Sequence, residues 1–257
     1  MKRSVREAFT SFSSDLEGVV PWLYLDVKGL VTTAIGNLVD PLMYAVTLPW
    51  VRPTGEPATR EEIVAAWNAV KNRPELARLG FRVAGQYTTI RLTPLGVQEV
   101  VMSKLAQMEK YLQKRFPEFE SWPADAQLAT LSMAWACGPA FRFATLEQAL
   151  KDKDFATAAA SCQINATGNP GVIPRNKANA QLYRNAAQVQ TGMFDPDALY
   201  WPRDLVSEQD TQPELPNPPS EPTRVTSAAD LPTILPQPAE LIEGAIAEYR
   251  RERDEEG

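Results

Sequence analysis

The chain has 257 residues, 44% apolar and 23% charged, the proportions of a folded protein with a sizeable core rather than a disordered one. It has no histidine, which excludes imidazole-ligated zinc and every Ser-His or Cys-His nucleophile, and no run of about 18 apolar residues long enough to span a membrane. The net charge of −6 belongs to the C-terminal end: residues 206–257 carry 12 acidic against 4 basic residues, whereas residues 1–205 carry 20 against 22, a near-neutral body that neither attracts nucleic acid nor repels an anionic polymer.

In chain order, Val5, Phe9, Phe12 and Leu16 fall at helical spacing, so residues 4–17 are expected to form a first helix that carries Glu17 near its C-terminus. The same stretch is basic, but Glu7, Ser11 and Ser13 interrupt it, so it does not read as a secretory leader. Residues 22–25 and 30–35 are rich in β-branched and aromatic side chains. They flank Asp26-Val27-Lys28-Gly29, a turn sequence, and so predict a β-hairpin. This arrangement sets one carboxylate (Glu17) at a helix end, a second (Asp26) at a hairpin tip and a hydroxyl (Thr32) on the returning strand. Thr33 is the rival hydroxyl, because neighbours on a strand face opposite sides; the register favours Thr32. Two carboxylates facing each other across a cleft suit glycosidic hydrolysis. One stays protonated to donate to the leaving oxygen, and the other stays ionised to orient water or meet positive charge at the sugar carbon.

Residues 39–87 open with DPLMYAVTLPWVRPTGEP, broken by prolines and expected to be mostly loop. Thr59 and Glu62 then form a capping box that opens a helix running to about Lys71. Thr93-Pro94 starts a long amphipathic helix to about Phe116. Residues 124–137 are apolar nearly all round, the mark of a buried central helix, and Gly138-Pro139 ends it. Shorter helices are expected from about Thr145 and from about Asp154, and another through Arg175 as far as Leu182-Tyr183. Cys137 and Cys162, far apart, read as free buried thiols rather than a disulfide. From residue 206 the stretches QPELPNPPSEPTRV and LPTILPQP hold 8 of the 22 prolines, an extended linker over 206–238; residues 239–257 include a short amphipathic helix that is marginal alone and would dock on a protein partner.

The pattern Glu17, Tyr24-x-Asp26, Gly29, Thr32, Ile35-Gly36 and Leu38 resembles the active-site segment of the phage-type lysozymes, muramidases that cut peptidoglycan. The likeness covers most of residues 1–195, strongest at the N-terminal motif. It implies a mostly helical α+β, lysozyme-like domain over residues 1–205 with a small β-hairpin lobe and a larger helical lobe. Residues 39–87 would be an insertion relative to compact members, either lying beside the cleft or serving as an embellishment without substrate contact. It also implies Glu17 as general acid, with Asp26 and Thr32 holding the attacking water. Tyr24, Asn37, Leu38 and Arg175 would be supporting or substrate-binding residues, Arg175 being either a neighbour that reaches Glu17 or a solvated cation at a helix start. No metal or cofactor is implied, and inversion would need the carboxyl groups roughly 6.5–9.5 Å apart. Two departures stand in the motif itself: Ala34 where the family usually has a second glycine, and Asn37 where it has a histidine. Asn176 and Asn179 replace a further arginine and glutamate. The expected role is that of a phage endolysin, made in the host cytoplasm and reaching the wall after release. The alternatives are a virion-borne or secreted wall-degrading protein and a non-catalytic module that kept the scaffold.

Overall fold

A computed structural model describes residues 1–167 and 169–205. The expected proline-rich linker (206–238) and terminal amphipathic helix (239–257) lie outside the described residues. Helix takes 58% of the structure beside a small antiparallel sheet, so the protein is mostly helical α+β.

The first helix, α1 (Arg3–Glu17), buries Val5, Phe9 and Phe12, the stripe seen in the sequence. Gly18, at φ 74°, ends it, its N–H donating to the Ser14 carbonyl at 2.8 Å. A three-stranded antiparallel sheet follows in the order β1 (Val20–Leu25), β2 (Val31–Ala34), β3 (Asn37–Leu38). The first strand starts two residues earlier than expected, with a register irregularity between Val20 and Tyr24. The second ends at Ala34 rather than Ile35, because the chain reverses at once into β3. That reversal needs left-handed backbone: Gly36 sits at φ 66° and Ala34 at φ 51°. Ala34 thus stands where a glycine would be unstrained, and its side chain has a direct conformational cost.

Residues 39–92 are more ordered than the proline content suggested. They hold α2 (Leu42–Ala45), β4 (Trp50–Val51), α3 (Arg60–Lys71), α4 (Leu76–Leu79), α5 (Phe81–Ala84) and β5 (Arg91–Leu92), with β4 and β5 forming a second, two-stranded sheet. Strands of two residues carry no readable alternation, so only their partners reveal them. The capping box at Thr59 and Glu62 is formed. Lys71, at the end of α3, donates to the Gly29 carbonyl at 3.1 Å and pairs with Asp40, whose carboxylate also takes the Val31 N–H. Helix α3 therefore braces the hairpin tip.

The helical part comprises α6 (Pro94–Arg115), α7 (Ala124–Cys137), α8 (Ala144–Lys151), α9 (Phe155–Ser161) and α10 (Ile173–Thr191). Thr93 caps α6 by accepting from the Gly96 N–H at 3.0 Å. Helix α7 is buried from Ala124 to Trp135 and packs on both α1 and α10. Helix α10 runs two turns past Tyr183, since nothing breaks it before Gly192. Residues to 205 fold back on this body: the Asp125 carboxylate accepts from the Asn185 amide and from the Tyr200 and Trp201 backbone N–H groups. Cys162 is buried but Cys137 is exposed at the end of α7, so only one thiol is where the sequence put it. Among the described residues no helix is long and apolar enough to cross a membrane.

Candidate functional site

Helix α1 delivers Glu17 to the mouth of the sheet, and α10 brings Arg175 across to it. An Arg175 guanidinium N–H donates to Glu17 Oε1 at 2.5 Å; the same group donates to Ser132 Oγ of α7 at 2.8 Å. Arg175 is only 3% exposed, so it is a fixed, buried partner and not a solvated cation. Glu17 keeps 29% of its side-chain surface open, enough for a ligand to reach it. Its other carboxyl oxygen is cradled by Gly36: a Cβ there would stand 2.7 Å from Glu17 Oε2. The glycine thus serves two needs at one position, a positive φ and a close approach.

The turn carrying Gly36 is pinned from the helical side. Trp135 of α7 donates its indole N–H to the Ile35 carbonyl at 3.0 Å, and Lys104 of α6 donates to the Gly36 carbonyl at 3.3 Å. The Lys104 ammonium lies 3.9 Å from the centre of the Trp135 ring, a close cation–π contact. Glu17 consequently has two cations near it. Its pKa is nevertheless above the usual carboxylate value, because burial outweighs the pull of Arg175 and Lys104. This is the balance a general acid needs, and residue types alone could not decide it. Burial also draws Arg175 below its ordinary value and pushes Lys104 down to about 8, the Glu17 charge opposing both shifts.

Tyr24 lies within the electrostatic reach of both carboxylates. Its phenol is pushed up to about 12, first by burial and then by the nearby charges of Glu17 and Asp26. Asp26 closes the hairpin turn: Oδ1 accepts the N–H groups of Lys28 at 2.8 Å and Leu30 at 2.9 Å. That locks the carboxylate while leaving Oδ2 without a hydrogen bond to the described residues. Thr32 pairs with Tyr24 across β1 and with Leu38 across β3, so these three share one face of the sheet. Leu38 is 49% exposed there, whereas Thr32 is only 4% exposed and donates to the Leu30 carbonyl at 3.2 Å. Thr33, fully buried, faces the opposite side with its hydroxyl on the Val20 carbonyl.

Asn37 pairs with Thr33 and is buried on that opposite face, with Oδ1 lacking a hydrogen-bond partner. It lies behind the Tyr24 face, in a position that supports the sheet. Asn176 is occupied by the backbone of Ile164, and Asn179 is fully buried with neither amide atom bonded. Residue patterns did not single out Lys104, which α6 brings to the Gly36 turn, or Phe81, which α5 brings to the edge of Tyr24. Two open depressions of about 380 and 570 Å³ include none of Glu17, Tyr24, Asp26, Thr32 and Arg175; Ile164 and Asn176 help line the larger. Among the described residues no group of three or more acidic or cysteine side chains could hold a metal ion.

No protein-family model matches the chain, and a search of the curated proteins finds no match either.

Proposed function

We propose that the protein is a muramidase with a phage-lysozyme-like fold and site, hydrolysing the β-1,4 bond between N-acetylmuramic acid and N-acetylglucosamine in peptidoglycan. The observation that carries the reading is Glu17: a half-buried carboxyl with a raised pKa, held by a buried arginine and a glycine cradle, near a tyrosine that also feels the charge of Asp26. In this scheme protonated Glu17 donates to the glycosidic oxygen as the bond from the sugar C1 to that oxygen breaks. Positive charge grows at C1 and the ring. Asp26 Oδ2 takes a proton from a water that also donates to the Thr32 hydroxyl oxygen, and the water oxygen bonds to C1 from the face opposite the departing sugar. Asp26 then gives its proton up to solvent, and Glu17, now ionised, is held by Arg175 until solvent reprotonates it. The product anomer is inverted, and no metal enters any step.

Release of reducing ends from purified peptidoglycan by the wild type, and its loss in Glu17→Gln, tests the assignment; equal release by both rules out Glu17 as the acid. Proton NMR of the first-formed product reads the stereochemistry. The same chemistry fits a phage endolysin acting after release from the cytoplasm, or a particle-borne or secreted wall-degrading protein.

A second reading, a non-catalytic module on the same scaffold, is favoured by two features of the turn. Ala34 strains it, and Asn37 cannot titrate. That reading requires glycan binding without any reducing-end release.

A further inference from the structure

The 39–87 segment carries an aromatic residue to the candidate cleft. Phe81 opens α5 directly after Gly80, whose φ of 88° turns the chain toward the sheet, and α5 packs against β1. Phe81 is 41% exposed, yet its ring has aromatic neighbours on two sides. Tyr24 meets it edge-on with ring centres 6.3 Å apart, and Trp22 lies beside it at 6.4 Å. The Trp22 indole N–H donates to the Phe81 carbonyl at 2.8 Å. Trp22 is itself clamped. The Arg91 guanidinium sits 5.2 Å from its ring centre, and Gly85 lies so close that a Cβ there would stand 3.0 Å from the indole. An exposed ring usually keeps its freedom; this one packs against two other aromatics, and its backbone carbonyl is held by the Trp22 indole.

The shelf is continuous with the chemistry. Tyr24 touches Phe81 on one side and feels the charges of Glu17 and Asp26 on the other. A glycan laid along the sheet face that carries Tyr24, Thr32 and Leu38 would meet Phe81 at its Tyr24 end. One face of a β-linked pyranose is a patch of C–H groups, which matches the flat, electron-rich face of an aromatic ring. The exposed Arg82 guanidinium, 5.9 Å from the Phe81 ring centre, adds a cation suited to the carboxylates of a wall polymer. We propose that Phe81, supplied by the inserted segment, is a sugar-stacking platform adjacent to the cleaved bond and a determinant of preference for longer glycans. This rests on the glycan-binding part of the muramidase reading and extends it to a residue that the sequence motif does not contain.

The test uses the full chain carrying Glu17→Gln, so that binding is read without cleavage, and calorimetric titration with a β-1,4-linked N-acetylglucosamine hexasaccharide. Phe81→Ala is expected to weaken binding about tenfold, which corresponds to about 1.4 kcal/mol. Phe81→Trp is expected to restore it, and Phe81→Leu, which keeps apolar bulk without a flat face, to bind as weakly as the alanine variant. In the otherwise wild-type chain, Phe81→Ala should raise KM for long glycans with kcat little changed. Equal binding by wild-type and alanine side chains at 81, or full rescue by leucine, overturns the proposal. Binding by the parent without any hydrolysis of peptidoglycan keeps the platform and removes the muramidase reading. Absence of both binding and hydrolysis removes both.

Discussion

Replacing Gly36 by alanine separates a structural role from a catalytic one. The backbone at 36 has φ 66°, a conformation that costs an alanine about 1–2 kcal/mol relative to glycine. For a domain of this size that lowers Tm by roughly 2–8 °C. The new methyl would also stand 2.7 Å from Glu17 Oε2, where ordinary contact begins at 3.4 Å, so the carboxylate must retreat by at least about 0.7 Å. It cannot do so freely, because Arg175 holds the other oxygen at 2.5 Å. A displacement near 1 Å at a reacting group costs on the order of a hundredfold in rate. The expected result is a hundredfold fall in reducing-end release with a Tm loss of a few degrees. Gly55→Ala is the control: its φ is 86° with nothing within 4 Å of the added methyl, so it carries the backbone strain alone. Differential scanning calorimetry and a reducing-sugar assay on both variants decide the matter. If Gly36→Ala and Gly55→Ala lose the same Tm and both keep full activity, the cradle has no part in positioning Glu17.

Glu17→Gln should reduce hydrolysis by about 10²–10⁴-fold while the protein stays folded, as circular dichroism and the rate assay will show. Because Glu17 must be protonated to act and its pKa is raised, kcat/KM should fall as pH rises through that raised value. Lys104 pulls the pKa down, so Lys104→Met should move this alkaline limb to higher pH, and a shift the other way would contradict the placement. The folded-state pKa of Lys104, about 8, lies below its ordinary 10.5, so its contribution to stability is present above that ordinary value and is lost as pH falls through 8. Lys104→Met should accordingly stabilise the protein at pH 7, by about 1–2 kcal/mol once the lost cation–π contact is allowed for, and the gain should shrink toward pH 10 in thermal melts. Ala34→Gly relieves the φ of 51° and should raise stability by about 1 kcal/mol at most, since the added chain entropy opposes it; a marked loss in denaturant titration would refute the strain.

Local chemistry made much of this protein readable from residue order. Val5, Phe9 and Phe12 at helical spacing, the Asp26–Gly29 turn, the Thr59–Glu62 capping box and Thr93-Pro94 each specify a structure within a few residues of themselves, and each is formed. The nine-residue interval from Glu17 to Asp26 likewise needs only a helix end and a hairpin, so the two carboxylates were legible as a candidate pair. Other features depend on contacts between distant parts of the chain. Arg175 lies 158 residues from Glu17, and whether it solvates itself or reaches that carboxyl depends on how α10 packs on α7. The direction of the Glu17 pKa follows from how much water the surrounding elements remove relative to the charges they bring, a sum over space. Phe81 and Lys104 belong to no motif themselves, and they come near the site only because α5 lies on β1 and α6 runs under the Gly36 turn. Short-range propensity and spacing determine elements and their reactive residues; burial and charge balance are fixed by tertiary packing, because desolvation and Coulomb interaction act through space and not along the chain.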